Sequence, residues 1–424
     1  MLGYFGVWLA LIALAMPVAF SLAFMGIAWL FFEGQSITQA AQRLIGGIDS
    51  FPLLAVPCFV LAGIAMNAGG VSVRIYDFAR ALVGHLTGGL GHVNVMGSVI
   101  FSGMSGSAIA DAGGLGILEV KAMKEDGYKP AFAGALTCAS CIIGPLIPPS
   151  IPMVLYGVIA NTSVGALFLA GVVPGLLTAA MLMVHVYFYA KKRPELARHR
   201  RASLKELWLA FRRAFLALIT PVIIMGGIFG GIFTPTEAAA VAAIYSLALG
   251  LFIYGDLRFS DLPRIFKEAV NTSAVVGFIV AGASLFGWVL ARERVPQAIA
   301  EAFLDFSTNP YVILLIINLV MLVLGCFMEG IAIMILMVPV FLPVIQQVGI
   351  DPVHFGVVVT MNLMIGILTP PFGVALFTVA KVGRIPFEDL AREILPFLPG
   401  LILVLLLLTF FPSLSMFLPR LVYG

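Results

Sequence analysis

The sequence predicts an all-α polytopic membrane protein made of two inverted structural repeats, with two re-entrant helical hairpins and two broken helices. Three observations carry this expectation. Of 424 residues, 61% are hydrophobic and only 11% are charged, where soluble domains carry about a quarter charged residues. The mean hydropathy is +1.09. Many apolar runs reach the roughly 20 residues needed to cross a bilayer. Two long apolar regions are interrupted by Gly and a Pro pair, and the interruptions recur at one spacing. Such a composition excludes a soluble core, a disordered chain, a nucleic-acid binder and a disulfide scaffold.

Taken in order, residues 4–32 read as the first span. That run is too long for a signal-peptide core and lacks a basic leader, so a retained segment is expected. Further clear spans are 51–70, 165–190, 215–235, 236–255, 269–290 and 395–418. Regions 130–160 and 352–381 contain Gly144-Pro-Leu-Ile-Pro148-Pro149 and Gly366-Ile-Leu-Thr-Pro370-Pro371. Proline cannot continue a helix and disfavours helical geometry in the residue before it, so both regions read as broken helices. Regions 93–118 and 311–348 have Gly-rich or polar centres, Phe101-Ser-Gly-Met-Ser-Gly-Ser107 and Gly325-Cys-Phe-Met-Glu-Gly330. A hairpin that enters and leaves on one side fits both, because non-helical backbone at membrane depth must be buried or line a polar cavity. The chain then divides into a first repeat (1–190), a basic cytoplasmic loop with a linking helix (191–235) and a second repeat (236–424).

Charge placement supports this layout. With nine crossings, two re-entrant hairpins and a cytoplasmic N-terminus, only Arg43, Arg292, Arg294 and Arg420 fall outside; the other 20 of 24 basic residues fall inside. This is the asymmetry that orients membrane proteins, and it puts the C-terminus outside. The loop 191–213 holds nine basic and two acidic residues, read as a topology anchor, with anionic-lipid binding as the functional alternative. Cys58, Cys138, Cys141 and Cys326 lie in apolar runs, and the five His form no ligand cluster. The CxxC at 138–141 lacks a second pair, so these cysteines read as small buried residues.

The chain resembles itself at a spacing near 220. Leu61-Ala-Gly63 recurs as Val280-Ala-Gly282, and Met104-Ser-Gly-Ser-Ala-Ile109 as Met328-Glu-Gly-Ile-Ala-Ile333. Pro130-x-x-x-Gly134 recurs as Pro352-x-x-x-Gly356, and Ile143-Gly144-x-x-x-Pro148-Pro149 as Ile365-Gly366-x-x-x-Pro370-Pro371. The offsets are 219, 224, 222 and 222. Inverted repeats with discontinuous helices point to a secondary transporter whose site lies near the bilayer midplane. A broken helix leaves N–H groups unpaired at one half-helix start and C=O groups unpaired at the other half's end. The first suit a carboxylate and the second suit Na⁺. Two cation sites are therefore expected, one joining Ser102–Ser105 to Gly144–Pro149, the other joining Gly325–Met328 to Gly366–Phe372.

The segment Gly227-Ile-Phe-Gly-Gly-Ile-Phe-Thr-Pro-Thr-Glu-Ala-Ala-Ala-Val-Ala242 resembles the signature of the large membrane subunit, DctM-like, of TRAP (tripartite ATP-independent periplasmic) transporters. Met16–Phe20, Ser102–Ala108, Pro148-Pro149-Ser150, the second Pro pair and the overall length are similar to that family too, so the resemblance covers essentially the whole chain. It implies an elevator-type importer of a small organic anion, such as a C4-dicarboxylate or a sugar acid, in the bacterial inner membrane. It implies two coupling Na⁺ and no organic cofactor, a separate small four-helix membrane subunit, and a periplasmic substrate-binding protein. Carried over by position, Na⁺ would be held by carbonyls of Ser102, Ser105, Gly144, Ile147 and Pro149, and by those of Gly325, Met328, Gly366, Thr369 and Phe372. Substrate would lie near Ser105, Ser107, Thr234 and Thr236.

Three embedded acids need an account, since intramembrane charge is costly. Glu237 follows Thr-Pro-Thr and is expected in a first helical turn capped by Thr234 or Thr236. Asp111 is expected to pair with Lys121 or Lys124. Glu329 either tunes a cation site or faces the outer cavity. No arginine lies in an expected span, so a carboxylate would rely on amide dipoles, hydroxyls and Na⁺. The arm Arg292-Glu-Arg294 reads as an interfacial helix or as a docking surface for the soluble partner. Each net charge moved through 100 mV yields about 2.3 kcal/mol, so two Na⁺ with a monoanion suffice for concentrative uptake. No phosphate-binding GxxxxGK[ST] loop is present. The alternatives are a stand-alone divalent-anion/Na⁺ symporter of related design and, more remotely, a membrane-embedded enzyme or a channel.

Overall fold

A computed structural model describes residues 2–14, 16–194, 196 and 199–424. Among these residues every regular element is helical. Seven helices or helix runs are long and apolar enough to cross a membrane: Phe51–Ala68, Val164–Lys191, Leu204–Phe229, Pro235–Tyr254, Phe259–Arg292, Gly330–Gln347 and Phe387–Phe410.

The first departure from expectation is at the N-terminus. Residues 4–32 form two helices, α1 (Leu2–Ala13) and α2 (Val18–Phe32), not one span. Pro17 ends the helical path, because its ring and missing N–H break the backbone ladder. The helices double back on each other: the Tyr4 hydroxyl donates to the Met25 carbonyl at 2.5 Å and Trp8 Nε1 donates to Ser21 Oγ at 3.2 Å. Twelve residues of α1 reach about 18 Å, short of a 30 Å hydrocarbon core.

The amphipathic α3 (Thr38–Ile48) leads through a 3₁₀ turn at Phe51–Leu54 into α4 (Ala55–Ala68). After α5 (Val71–Val83) comes α6 (Gly89–Ser105), then α7 (Ala108–Gly113) and α8 (Leu115–Glu125). A Cβ on Gly97 would lie 2.8 Å from Glu119 Oε1 and 3.1 Å from Leu115, so α8 runs back along α6 as a hairpin. This hairpin extends well past the expected 93–118. Its turn is at Gly106-Ser107, because Phe101–Ser105 stay helical and Gly106 supplies the left-handed φ of +61°.

The chain continues through α9 (Pro130–Cys141), α10 (Ile151–Ile159) and the long α11 (Val164–Lys191). Residues between α9 and α10 are non-helical around the cis Pro148–Pro149 bond. The basic loop is pinned at its centre, where His199 Nε2 lies 3.0 Å from Asp126 Oδ1. It is shorter than expected: α12 (Leu204–Phe229) already starts at a Ser203/Glu206 capping box.

In the second half, α13 (Pro235–Ala248) continues as a wider turn to Tyr254. Next come α14 (Leu262–Arg292), α15 (Val295–Phe306), α16 (Pro310–Gly325) and α17 (Gly330–Gln347). The last two pack on each other across a short turn. Then follow α18 (Pro352–Gly366), α19 (Val374–Gly383), α20 (Phe387–Ile394), α21 (Leu398–Phe410) and α22 (Ser413–Tyr423). The break between α18 and α19 holds the cis Pro370–Pro371 bond. The expected span 395–418 is two helices, divided at Phe411-Pro412. The expected span 269–290 is seven residues longer at its start, a difference that matters below.

Small residues set the closest packing. Ala238, Ala239, Ala242 and Ala243 on α13 are buried against α4, which offers Ala55, Ala62 and Ala65. Short side chains let membrane helices approach closely. The alanine run of the signature segment therefore builds this helix pair. At the far end of α14, Arg43 and Arg292 lie 5.0 and 5.5 Å from the Trp288 ring centroid.

Candidate functional site

The signature segment begins as a helix start. Thr234 Oγ1 accepts from the Glu237 amide at 3.3 Å, and Glu237 Oε2 accepts from the Thr234 amide at 2.8 Å, a reciprocal capping box. Thr236 Oγ1 donates to the Phe51 carbonyl at 3.2 Å, tying α13 to the start of α4. Thr234 thus closes the helix end and Thr236 ties it to its neighbour; neither, though both were expected near substrate, lines the large cavity described below. A proline at the first helical position forces the preceding residue to be the cap, so Thr234 is committed to this bond.

The hairpin turns and the helix breaks do come together. At the first junction the Ile151 amide donates to the Gly106 carbonyl at 3.2 Å, and a Cβ on Gly106 would lie 2.6 Å from the Pro149 carbonyl oxygen. A Cβ on Gly144 would sit 3.6 Å from the Ser107 carbonyl. Ser102 is buried and its hydroxyl donates to the Val99 carbonyl at 2.6 Å. Ser105 is buried and its Oγ has no hydrogen-bond partner. Ile147 turns its side chain onto Gly175 of α11, which pins the break from behind. Ser150 caps α10 by accepting from the Met153 amide at 3.2 Å.

At the second junction, a Cβ on Gly325 would lie 2.9 Å from Gly366 Cα, and one on Gly366 would lie 2.8 Å from Gly325 Cα. These helix ends touch backbone to backbone, which only glycine permits. Met328 is buried, the Thr369 hydroxyl donates to the Ile365 carbonyl at 2.8 Å, and Phe372 is 54% exposed with its ring against Phe327. The contacts thus bring Gly106 to Pro149 and Ser107 to Gly144 at the first junction, and Gly325 to Gly366 at the second.

Between them lies a cavity of about 710 Å³. One wall is the hairpin turns, through Ser105, Ser107 and Glu329; the other is α4 and α14, through Gly63, Asn67, Thr272 and Ile279. Ser107 also caps α7, accepting from the Ala110 amide at 3.4 Å. Glu329 caps α17, accepting from the Ala332 amide at 3.0 Å, while lining the cavity.

Asp111 departs from expectation. It is 1% exposed, and its carboxylate faces the Ser98 hydroxyl of α6 and no lysine. Lys121 instead lies 4.0 Å from Glu125, and Lys124 donates to the Gly383 carbonyl at 3.3 Å. Glu119, outside the expected hairpin, is also 1% exposed and without a partner. Among the described residues no group of three His, Cys, Asp or Glu is placed to hold a metal.

Two further features escape a linear reading. Asn94 on α6 donates to Thr137 Oγ1 at 2.7 Å and accepts from Ser140 Oγ at 2.7 Å, both on α9. Asn318 on α16 donates to Thr409 Oγ1 at 2.9 Å and accepts from Asn362 Nδ2 on α18 at 3.1 Å. The pairs Asn94/Asn318 and Ser140/Asn362 stand 224 and 222 residues apart, the same offsets as the hairpin and break motifs. Arg264 also lines the cavity, although it precedes the expected span.

A family model described as "Tripartite ATP-independent periplasmic transporter, DctM component" matches residues 5–414. The chain is 55% identical to the sialic acid TRAP transporter large permease protein SiaM of Vibrio cholerae, over 98% of each chain. It is 42% identical to the C4-dicarboxylate TRAP transporter large permease protein DctM of Pseudomonas aeruginosa, over 92% of this chain and 91% of that one. In fold it is similar to the YdaH transporter of Alcanivorax borkumensis, with TM-score 0.66, 16% identity and 87% coverage of both chains. MtrF of Neisseria gonorrhoeae follows with TM-score 0.57, 13% identity, and coverage of 90% of this chain and 83% of that one. The chain belongs to the DctM component family of tripartite ATP-independent periplasmic transporters, and it is a multi-pass transport subunit, not an enzyme.

Proposed function

We propose that this subunit imports a small organic anion with Na⁺, sialic acid being the first candidate. The observation that carries the reading is the pair of turn-to-break junctions facing one cavity. The 55% identical relative is named for sialic acid and the 42% identical one for C4-dicarboxylates, so both substrates are carboxylates.

The donor chemistry suits Na⁺. Backbone carbonyls released from the helical ladder at the breaks, with the buried, unpartnered Ser105 Oγ, supply oxygens without net charge. The first ion belongs with carbonyls of Ser102, Ser105, Gly144, Ile147 and Pro149. The second belongs with those of Gly325, Met328, Gly366, Thr369 and Phe372, and the Thr369 hydroxyl oxygen keeps a lone pair free. Such ions would supply positive potential beside the turns, where Ser105 and Ser107 present hydroxyls to a carboxylate.

In an elevator movement, the hairpins and broken helices (α6–α10 and α16–α19) travel against a scaffold of α4, α13 and α14. The cavity between these two groups supports that division. Delivery then falls to a periplasmic binding protein, and a small membrane subunit braces the scaffold.

The test is sialic acid uptake into proteoliposomes holding this chain, its small subunit and its binding protein. Uptake should require an inward Na⁺ gradient, and Ser105→Ala should raise the Na⁺ concentration for half-activation by about tenfold, the equivalent of one charge-assisted hydrogen bond. Uptake indifferent to Na⁺ would overturn the coupling. Equal uptake without the other two components would favour a stand-alone symporter.

A further inference from the structure

We propose that Arg264 is a second carboxylate-binding position, an exit subsite on the scaffold wall of the transport cavity; the inference rests on the anion-import reading above. Among the residues lining the cavity, Arg264 is the one Lys or Arg. It belongs to a stripe on α14 that also includes Glu268, Thr272, Val276 and Ile279, with the three-to-four-residue spacing of one helical face. From Ile279 to Arg264 is fifteen residues, about 22 Å of helix. The stripe thus joins the hairpin turns to the end of α14 near Arg258 and Lys267.

Two observations distinguish Arg264 from an ordinary anchor at a helix end. Glu268 is its natural partner, one turn along the same wall, yet no ion pair or hydrogen bond joins Arg264 to any described residue. The guanidinium also sits in the first turn of α14, where the helix dipole disfavours a cation. Its charge adds to the positive potential of the helix start instead of cancelling it. The wall therefore offers an unpaired, forked donor with the geometry that binds a carboxylate through two parallel hydrogen bonds.

The turns hold a carboxylate without any arginine, so Arg264 is the one basic residue lining the cavity that an anion released there can meet. Glu268 beside it repels the same anion and limits how long it stays. On the basic side of the protein, which by charge asymmetry is cytoplasmic, this arrangement draws the substrate out without trapping it.

Two measurements test this with wild type, Arg264→Gln, Arg264→Lys and Glu268→Gln. The first uses the assembled transporter with sialic acid supplied from the cytoplasmic face. Arg264→Gln should raise the KM on that face about tenfold, Arg264→Lys should restore only part of it, because an ammonium keeps the charge but not the paired hydrogen bonds, and Na⁺ half-activation should not move. Unchanged KM in Arg264→Gln would overturn the proposal. The second needs no transport. A cysteine placed by Thr272→Cys is labelled with sulfonatoethyl or trimethylammonioethyl methanethiosulfonate. The anionic reagent should be favoured, Arg264→Gln should lower that preference several-fold, and Glu268→Gln should raise it. A preference unaffected by Arg264→Gln would overturn the proposal even if sialic acid uptake proves independent of Na⁺. That last result would sink only the coupling reading.

Discussion

The first hairpin, α6 to α8, buries His92, Asn94, Ser98, Ser102, Ser105, Asp111 and Glu119, whereas the second, α16 to α17, buries Asn318 as its one polar side chain. At the offset of 224, Ser98, Asp111 and Glu119 correspond to Leu322, Ile335 and Pro343. The junctions differ in the opposite sense. Each makes one close backbone approach, Gly106 to Pro149 in the first and Gly325 to Gly366 in the second, but the break glycine is closed in only the second: Gly366 meets Gly325, while Gly144 keeps more than 3 Å of clearance. Features present in both halves (the turn, the Pro pair and the buried Asn bond to the following helix) belong to the shared geometry. Features present once, above all the two buried acids, must serve something other than that geometry.

Substitutions can break or sharpen this contrast. The largest effect is expected from Gly366→Ala, which forces a methyl into Gly325. Overpacking of this kind costs about 1–3 kcal/mol, and because the clash is with backbone, Na⁺-dependent uptake should be lost while membrane insertion persists. Gly144→Ala, with its nearest contact at 3.2 Å, should retain measurable uptake. Equal loss in both variants would erase the difference between the junctions.

Next come Asn94→Leu and Asn318→Leu. Each strands buried partners, Thr137 and Ser140 or Asn362 and Thr409. An unsatisfied buried group costs about 1–3 kcal/mol, although interhelical hydrogen bonds within membranes average nearer 0.6 kcal/mol. Both proteins should melt lower than wild type by similar margins. A large shift in only one would mean that the two bonds are not equivalent.

A smaller change is expected from Thr234→Ala, which removes a helix cap at about 1 kcal/mol. Its melting temperature should fall while the KM for the proposed substrate, sialic acid, stays put. A raised KM at unchanged stability would return Thr234 to the substrate site. The smallest expected change is in the opposite direction. Glu119→Gln removes a fully buried carboxylate that has no partner, and such charges are costly, so the melting temperature should hold or rise. A clear fall would reveal a cation or proton bound between Glu119 and its surroundings.

Much of the fold could be read from the chain. Both Pro pairs fall in breaks between helices, and the second hairpin turn lies within Gly325–Gly330 as the spacing implied. These are local effects, since a proline interrupts a helix wherever it stands. The misreadings share one cause. Hydropathy reports what can be buried, not where a helix stops. Residues 4–32 are apolar throughout yet fold back at Pro17, and α14 begins seven residues before its apolar run, carrying Arg264 to the cavity. Phe101–Ser105 are rich in Gly and Ser yet stay helical, because neighbouring helices supply the packing that propensity lacks.

Local chemistry was enough to read the solvent, the breaks in the helices and the glycines that meet at them. It sufficed because composition and proline chemistry act on neighbouring residues. Tertiary structure alone decided that the capped start of α13 stands away from the cavity, that Asp111 and Glu119 are buried away from Lys121 and Lys124, and that Arg264 faces a cavity shared with Ser105. Those outcomes depend on which helix faces pack together, a relation between residues far apart in the chain that no local pattern records.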